Sequence, residues 1–130
     1  MIDQVDYWID LADDDVSTAN LLLSGKKYLQ AGFFCHLAVE KGLKAIIANN
    51  EPEPPPKTHD LTKLAQLGGI LIGLSEEQLN LLDELTPLNI EARYPDYKAS
   101  IAQIFTTEKT AGIFKETEAF LCWIKQKLGK

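Results

Sequence analysis

The amino-acid sequence predicts an all-α protein, an up-and-down bundle of four long helices plus a short extra helix. Apolar residues recur at steps of three and four along several long segments, which is the spacing of one helix face. No segment alternates apolar and polar residues between hairpin turns, so no β-strand is predicted. A chain of 130 residues is long enough for one hydrophobic core, and residues 1–130 are therefore expected to form a single domain.

The first predicted helix covers residues 4–24. Its apolar face is formed by Val5, Trp8, Ile9, Ala12, Val16, Ala19, Leu22 and Leu23. Asp3 is suited to cap the start of this helix, and Gly25 is suited to end it. The run Asp13–Asp15 is not a metal site, because consecutive helical residues point to different sides and do not converge on one ion. We expect this run to form part of the solvent-exposed face.

The second predicted helix covers residues 28–50 and is apolar on nearly every side, which is typical of a central bundle helix. One stripe of small residues would let a neighbouring helix approach closely, and it consists of Ala31, Cys35, Ala38, Gly42 and Ala45. His36, Glu40 and Lys44 follow one another at i, i+4 spacing, while Lys41 points away from them. We expect Glu40 and Lys44 to form an ion pair at the edge of the core, with His36 in or beside the core.

The segment "EPEPPPKTHD" at 51–60 carries four prolines in five positions, which predicts a stiff, extended loop. Thr58 or Asp60 is suited to cap the short helix that follows, "LTKLAQLGG", whose double glycine ends it. Farther along, "SEEQ" at 75–78 is a capping box that starts a fourth helix.

In the fourth helix the predicted inward residues are Leu79, Leu82 and either Leu85 or Leu88, and Pro87 is expected to kink or end it. The last predicted helix runs from about residue 107 to residue 128 with one broad apolar face. Gly129 is expected to end it.

Composition and charge exclude several classes of protein. The net charge of −6 argues against binding of nucleic acid over the whole surface, so a nucleotide or RNA site must be a local basic patch. No run of about 18 uncharged apolar residues would span a membrane, and the acidic start of the chain is unlike a signal peptide. We expect a cytoplasmic protein without membrane contact. Cys35 and Cys122 stand alone in helical segments and are expected to be buried free thiols.

Three segments, in order and at suitable spacing, resemble one family. "AGFFCHLAVEKGLKAII" resembles the A-x-F-x-x-x-x-A-x-E-K-x-L-K-A helix of HEPN domains, the higher eukaryotes and prokaryotes nucleotide-binding fold. "KTHDLTKL" resembles the K-x-H-D-L start of the third helix of that family, and "EARYPDY" resembles its R-Y-P-D segment. The resemblance covers nearly the whole chain and implies a compact helical bundle that is commonly dimeric. It also implies a nucleotide-linked or toxin-antitoxin role, often beside a minimal nucleotidyltransferase.

The resemblance departs from the ribonuclease members of the family at one position. Those members carry an arginine followed four to six residues later by a histidine, and the two side chains act on RNA at a dimer cleft. In this chain Arg93 is followed at those offsets by Tyr97, Lys98 and Ala99. Because the histidine is absent, the resemblance favours binding over RNA cleavage.

The candidate nucleotide-binding residues are Lys41, Lys44, Lys57, His59, Arg93, Tyr94, Asp96 and Tyr97. Pro95 keeps Tyr94 extended, and Asp96 is placed to hold Arg93, an arrangement that suits phosphate binding and base stacking or, equally, a structural contact. His59 precedes Asp60 at a helix start, where it would support the cap, act as a base or contact a phosphate. The sequence indicates no metal site and no cofactor.

Three hypotheses for the function follow. The first is a homodimeric module that binds a nucleotide or a minimal nucleotidyltransferase partner without cleaving RNA. The second is a metal-independent endoribonuclease that uses His59 and Arg93 at a dimer cleft. The third is a purely structural dimeric scaffold. The homodimer is expected because the second helix has more apolar surface than four helices readily cover.

Overall fold

The computed structural model describes residues 3–88 and 106–130 of the chain. Within these ranges all regular secondary structure is helical, which confirms the predicted all-α bundle. The α-helices are α1 (Gln4–Ser24), α2 (Tyr28–Asn50), α3 (Leu61–Leu67), α4 (Glu76–Leu85) and α5 (Thr107–Lys127), and a single 3-10 turn covers Leu71–Gly73. No strand occurs in the described ranges.

The helix starts follow the predicted capping chemistry. The side chain of Asp3 accepts hydrogen bonds from the backbone N–H groups of Val5 and Asp6 at the start of α1. Asp60, and not Thr58, caps α3, because its carboxylate accepts from the N–H of Lys63. At α4 both hydrogen bonds of the capping box between Ser75 and Gln78 are present. Local sequence therefore sets where these helices begin.

Helix α2 lies at the centre of the bundle and packs against α1, α3, α4 and α5. The approach of α5 is closest at Gly42, where a Cβ atom would lie 2.7 Å from Cδ2 of Leu121 and 3.0 Å from Cδ1 of Ile124. Both of these side chains are buried. The absence of a side chain at Gly42 thus permits the close packing of α2 on α5 that the small-residue stripe predicts.

Two residues that were predicted to be buried, Leu79 and Cys122, are exposed. Leu79 is exposed, and Leu81 takes its place in the core beside Leu82, Leu85 and Leu88. Leu79 stands two residues before Leu81, which turns it about 200° around the helix. Cys122 is exposed as well, since it lies on the side of α5 opposite the buried face, whereas Cys35 is buried as predicted.

The run Asp13–Asp15 departs from the expected solvent-exposed face at one residue. Asp13 and Asp14 are exposed, but Asp15 is buried at the margin of the apolar stripe of α1. Its carboxylate lies 2.6 Å from the Nζ atom of Lys41 on α2. A cation on the facing helix therefore accounts for the burial of this acidic side chain.

Candidate functional site

A buried carboxylate on α2 contacts two basic side chains, one buried and one half-exposed. Glu40 is only 4% exposed, and its Oε2 atom accepts a hydrogen bond from Nζ of Lys44, 3.1 Å away and one turn farther along the helix. Its Oε1 atom lies 2.9 Å from Nδ1 of His59, which comes from the proline loop. The Glu40–Lys44 ion pair was predicted from their spacing. The contact between Glu40 and His59, here called the Glu40–His59 pair, links α2 to the start of α3.

The loop holds His59 in place from both sides. Before it, the proline run restricts the backbone, and Pro55 is buried against the bundle. After it, Asp60 caps α3, and the N–H of Asp60 donates to Oγ1 of Thr58. His59 therefore reaches Glu40 from a segment with little conformational freedom.

The imidazole of His59 presents one nitrogen to the protein and the other to its surroundings. Its side chain is 43% exposed although Nδ1 contacts the buried carboxylate. Because an ionised carboxylate only accepts hydrogen bonds, Nδ1 must carry the hydrogen in this contact. In the neutral ring the lone pair is then on Nε2, for which the described residues provide no hydrogen-bond partner. The geometry suits both phosphate binding and proton transfer.

Two further side chains, His36 and Trp8, lie close to Glu40 and Lys44. His36 is fully buried, as expected, and its Nδ1 atom lies 3.8 Å from Oε1 of Glu40, beyond hydrogen-bond distance. The Nζ atom of Lys44 lies 5.4 Å from the centroid of the Trp8 ring, a cation–π contact that joins α1 to the cluster. Lys44 thus contacts Glu40 and Trp8 and is itself buried.

Lys41 belongs to a separate ion pair, with Asp15 of α1. Its Nζ atom contacts Asp15, and burial raises the pKa of the Asp15 carboxyl, an effect that Lys41 opposes. Lys41 and Lys44 are therefore each paired with an acidic side chain. Lys57 is exposed on the loop, two residues before His59.

The predicted binding residues fall into three groups. The structure brings Lys44 and His59 together around Glu40, while Lys41 and Lys57 lie apart from that contact. The remaining candidates, Arg93, Tyr94, Asp96 and Tyr97, lie outside the described residues. Nucleotide binding by this set of residues stays a prediction.

Comparison with known proteins identifies the family. The family model described as "HEPN domain" matches residues 5–127. The chain belongs to the HEPN domain family. Its fold is similar to the crystal structure of an archaeal HEPN homologue, with a TM-score of 0.66 and 23% identity, covering 95% of this chain and 96% of that chain. At this level of identity the likeness shows the fold alone. No curated protein matches the chain.

The described part of this HEPN domain contains neither a group of metal ligands nor a membrane-spanning helix. Its His, Cys, Asp and Glu side chains form no group of three or more that is arranged to hold a metal ion. None of its described helices combines the length and the apolar character needed to cross a membrane.

Sequence reasoning did not assign Glu40 or Trp8 to the candidate site of the HEPN domain. Glu40 was recognisable as an acidic residue on a helix that is otherwise apolar, a position where a charged side chain requires a partner. Its second partner, His59, lies 19 residues farther along, and only the folded loop brings the two together. Trp8 follows the apolar period of α1 and carried no separate signal.

Proposed function

We propose that this HEPN domain is a nucleotide-binding module that contacts a phosphate group of its ligand through His59 and does not cleave RNA. The observation that carries the proposal is the Glu40–His59 pair, in which a half-exposed imidazole is fixed by a buried carboxylate. The position of His59 in the segment that resembles the K-x-H-D-L motif of the family also supports a binding role for this residue. The missing histidine after Arg93 favours binding over cleavage.

The contact with Glu40 prepares His59 for an anionic ligand. A protonated imidazole donates from both nitrogens, so Nδ1 keeps its bond to Glu40 while Nε2 donates to a phosphate oxygen. Because the loop already orients the ring, little side-chain entropy is lost on binding. Lys57, exposed on the same loop, supplies a second cation to an acidic protein.

Isothermal titration with ATP tests the proposal. We expect saturable binding to the wild-type protein and binding at least about tenfold weaker for His59→Ala, since a charge-assisted hydrogen bond is lost. Thr62→Ala is the matched control, because Thr62 is exposed on α3 and touches neither Glu40 nor His59 in the described contacts. No heat of binding with the wild-type protein, or equal affinity for His59→Ala, would contradict the proposal.

The same geometry supports one enzymatic alternative. An imidazole oriented by a carboxylate is a suitable general base for a ribose 2′-OH, and Arg93 would stabilise the charge of the transition state. The test is incubation with RNA in EDTA, beside His59→Ala and Arg93→Ala. The alternative requires that cleavage occurs and that both substitutions abolish it.

The partner proposals are a homodimer and a minimal nucleotidyltransferase, in keeping with a toxin-antitoxin role. Light scattering at micromolar concentration should give twice the 14.5 kDa of one chain if the homodimer forms. A pull-down with a nucleotidyltransferase encoded beside this chain tests the second partner. A monomeric mass and an empty pull-down would rule out the respective proposals.

A further inference from the structure

A cleft opens between the first turns of α1 and the proline loop. It has a volume of about 330 Å³ and is lined by Gln4, Tyr7, Trp8, Pro54 and Pro55. This volume lies at the lower end of the range for small-molecule sites, about 300–1,000 Å³. We propose that the cleft binds the base of a nucleotide, stacked on the aromatic side chains. The inference rests on the proposed nucleotide binding and assigns the base to a place apart from His59.

The walls of the cleft have the chemistry of a stacking site. Tyr7 is 48% exposed, and its ring meets that of Trp8 edge to face, with centroids 5.3 Å apart and planes at 73°. Pro54 and Pro55 form the opposite wall with rigid, apolar rings that lose little entropy on binding. Gln4 brings an amide that both donates and accepts, which suits the polar edge of a base.

The cleft and the Glu40–His59 pair are joined by direct contacts. Trp8 contacts Lys44, Lys44 donates to Glu40, and Glu40 holds His59, with distances of 5.4, 3.1 and 2.9 Å. The proline loop also carries Pro55 and His59 only four residues apart. One loop therefore forms a wall of the cleft and positions the imidazole. A nucleotide with its base in the cleft would direct its phosphates toward the same loop.

The contact between Lys44 and Trp8 favours a base over a cationic ligand. Aromatic clefts also bind ammonium groups through the faces of their rings. Here the ring of Trp8 already interacts with the ammonium of Lys44, and a second cation on that ring would be repelled. A neutral base meets no such repulsion.

Fluorescence of Trp8 provides a direct test. The chain has two tryptophans, and Trp123 lies on α5, so Trp123→Phe leaves Trp8 as the only reporter. We expect adenosine and ATP to quench this fluorescence saturably, with ATP binding more tightly because of its phosphates. Inorganic triphosphate should leave the fluorescence nearly unchanged. Quenching by tetramethylammonium in place of adenosine would overturn the inference, as would an absence of quenching by both adenosine and ATP.

Substitutions on the exposed side of the cleft avoid the risk of unfolding. Tyr7→Ala should lower the affinity for ATP at least about fivefold, since the stacking of one base on an aromatic ring contributes that factor or more. Leu21→Ala is the matched control, because Leu21 is also exposed on α1 but lies outside the cleft. Circular dichroism of both variants should match that of the wild-type protein.

The outcomes separate this inference from the proposed function. If ATP binds and His59→Ala weakens it, but Tyr7→Ala has no effect and Trp8 is not quenched, the base does not occupy the cleft and nucleotide binding still stands. If adenosine quenches Trp8 but His59→Ala leaves ATP affinity unchanged, the cleft stands and the role of His59 fails. Loss of binding in both tests refutes both.

Discussion

Glu40 and Lys44 should stabilise the folded protein only as a pair, because either charge alone would be buried without a partner. The side chains are 4% and 8% exposed, so removing one partner leaves the other charge nearly without water. Breaking a buried pair in this way costs about 3–5 kcal/mol, and Glu40→Met should fall in that range because it leaves the Lys44 ammonium buried. Lys44→Met should cost less, roughly 2 kcal/mol, because Glu40 keeps its contact with the half-exposed His59.

The double variant Glu40→Met/Lys44→Met should be more stable than Glu40→Met alone. Both side chains are replaced by apolar ones of similar length, so no buried charge is left unpaired. Nδ1 of His59 loses its acceptor but can bond to water, since the ring is half exposed. We therefore expect a total cost of at most about 2 kcal/mol and a coupling of at least about 3 kcal/mol between the two sites.

Urea unfolding followed by circular dichroism measures this cycle. All four proteins are compared at one chain concentration, since a dimer would make the midpoint depend on concentration. Equal m-values would show that the variants unfold from similarly compact states. If the two single costs simply add to within about 0.5 kcal/mol, the side chains are not coupled and the reasoning from their burial is wrong.

Three other predictions use single features of the structure. Native protein should react with one equivalent of a thiol reagent at pH 8, through exposed Cys122, and denatured protein with two, because burial raises the pKa of Cys35 to about 11; two fast-reacting thiols in the native state would contradict this. Gly42→Ala should be less stable than Gly112→Ala by about 1–3 kcal/mol in urea unfolding, since the added methyl is crowded at the first position and meets no described atom at the second; equal stabilities would show that α5 yields without cost. Burial raises the folded-state pKa of Asp15 above 3.8, so its contribution to stability is full below the unfolded pKa and is lost as pH rises through the folded pKa. The stability of the wild type relative to Asp15→Asn should therefore fall with rising pH in that window, and a rise would refute the assignment.

Features set by neighbouring residues were the most predictable. Asp3 and Ser75 cap their helices through bonds to residues two or three positions away, and sequence shows those spacings directly. Which of Leu79 and Leu81 faces the core was harder to predict from the sequence. Both positions fit an apolar pattern, and only the packing of α4 on its neighbours decides which one faces inward. Asp15 was missed for the same reason, since its burial depends on Lys41 of another helix.

The candidate site was predicted in its components and not in its arrangement. The i, i+4 spacing indicated that Lys44 would pair with Glu40, and it does. The motif pointed to His59, but the partner of its ring depends on the path of the loop from 51 to 60. Proline content predicts that such a loop is stiff and extended without specifying where it ends. The cleft beside Trp8 likewise arises from two segments that are distant in sequence.

The stability of the bundle does not require the Glu40–Lys44 ion pair, because apolar side chains of similar size fill such positions equally well. What an apolar pair does not provide is a carboxylate that orients His59. The double variant Glu40→Met/Lys44→Met separates these two roles, since it should remain folded while His59 loses its acceptor. We expect this variant to bind ATP about as weakly as His59→Ala does. If it binds ATP like the wild type, the buried charges serve the packing of α2 and the orientation of His59 is not their purpose.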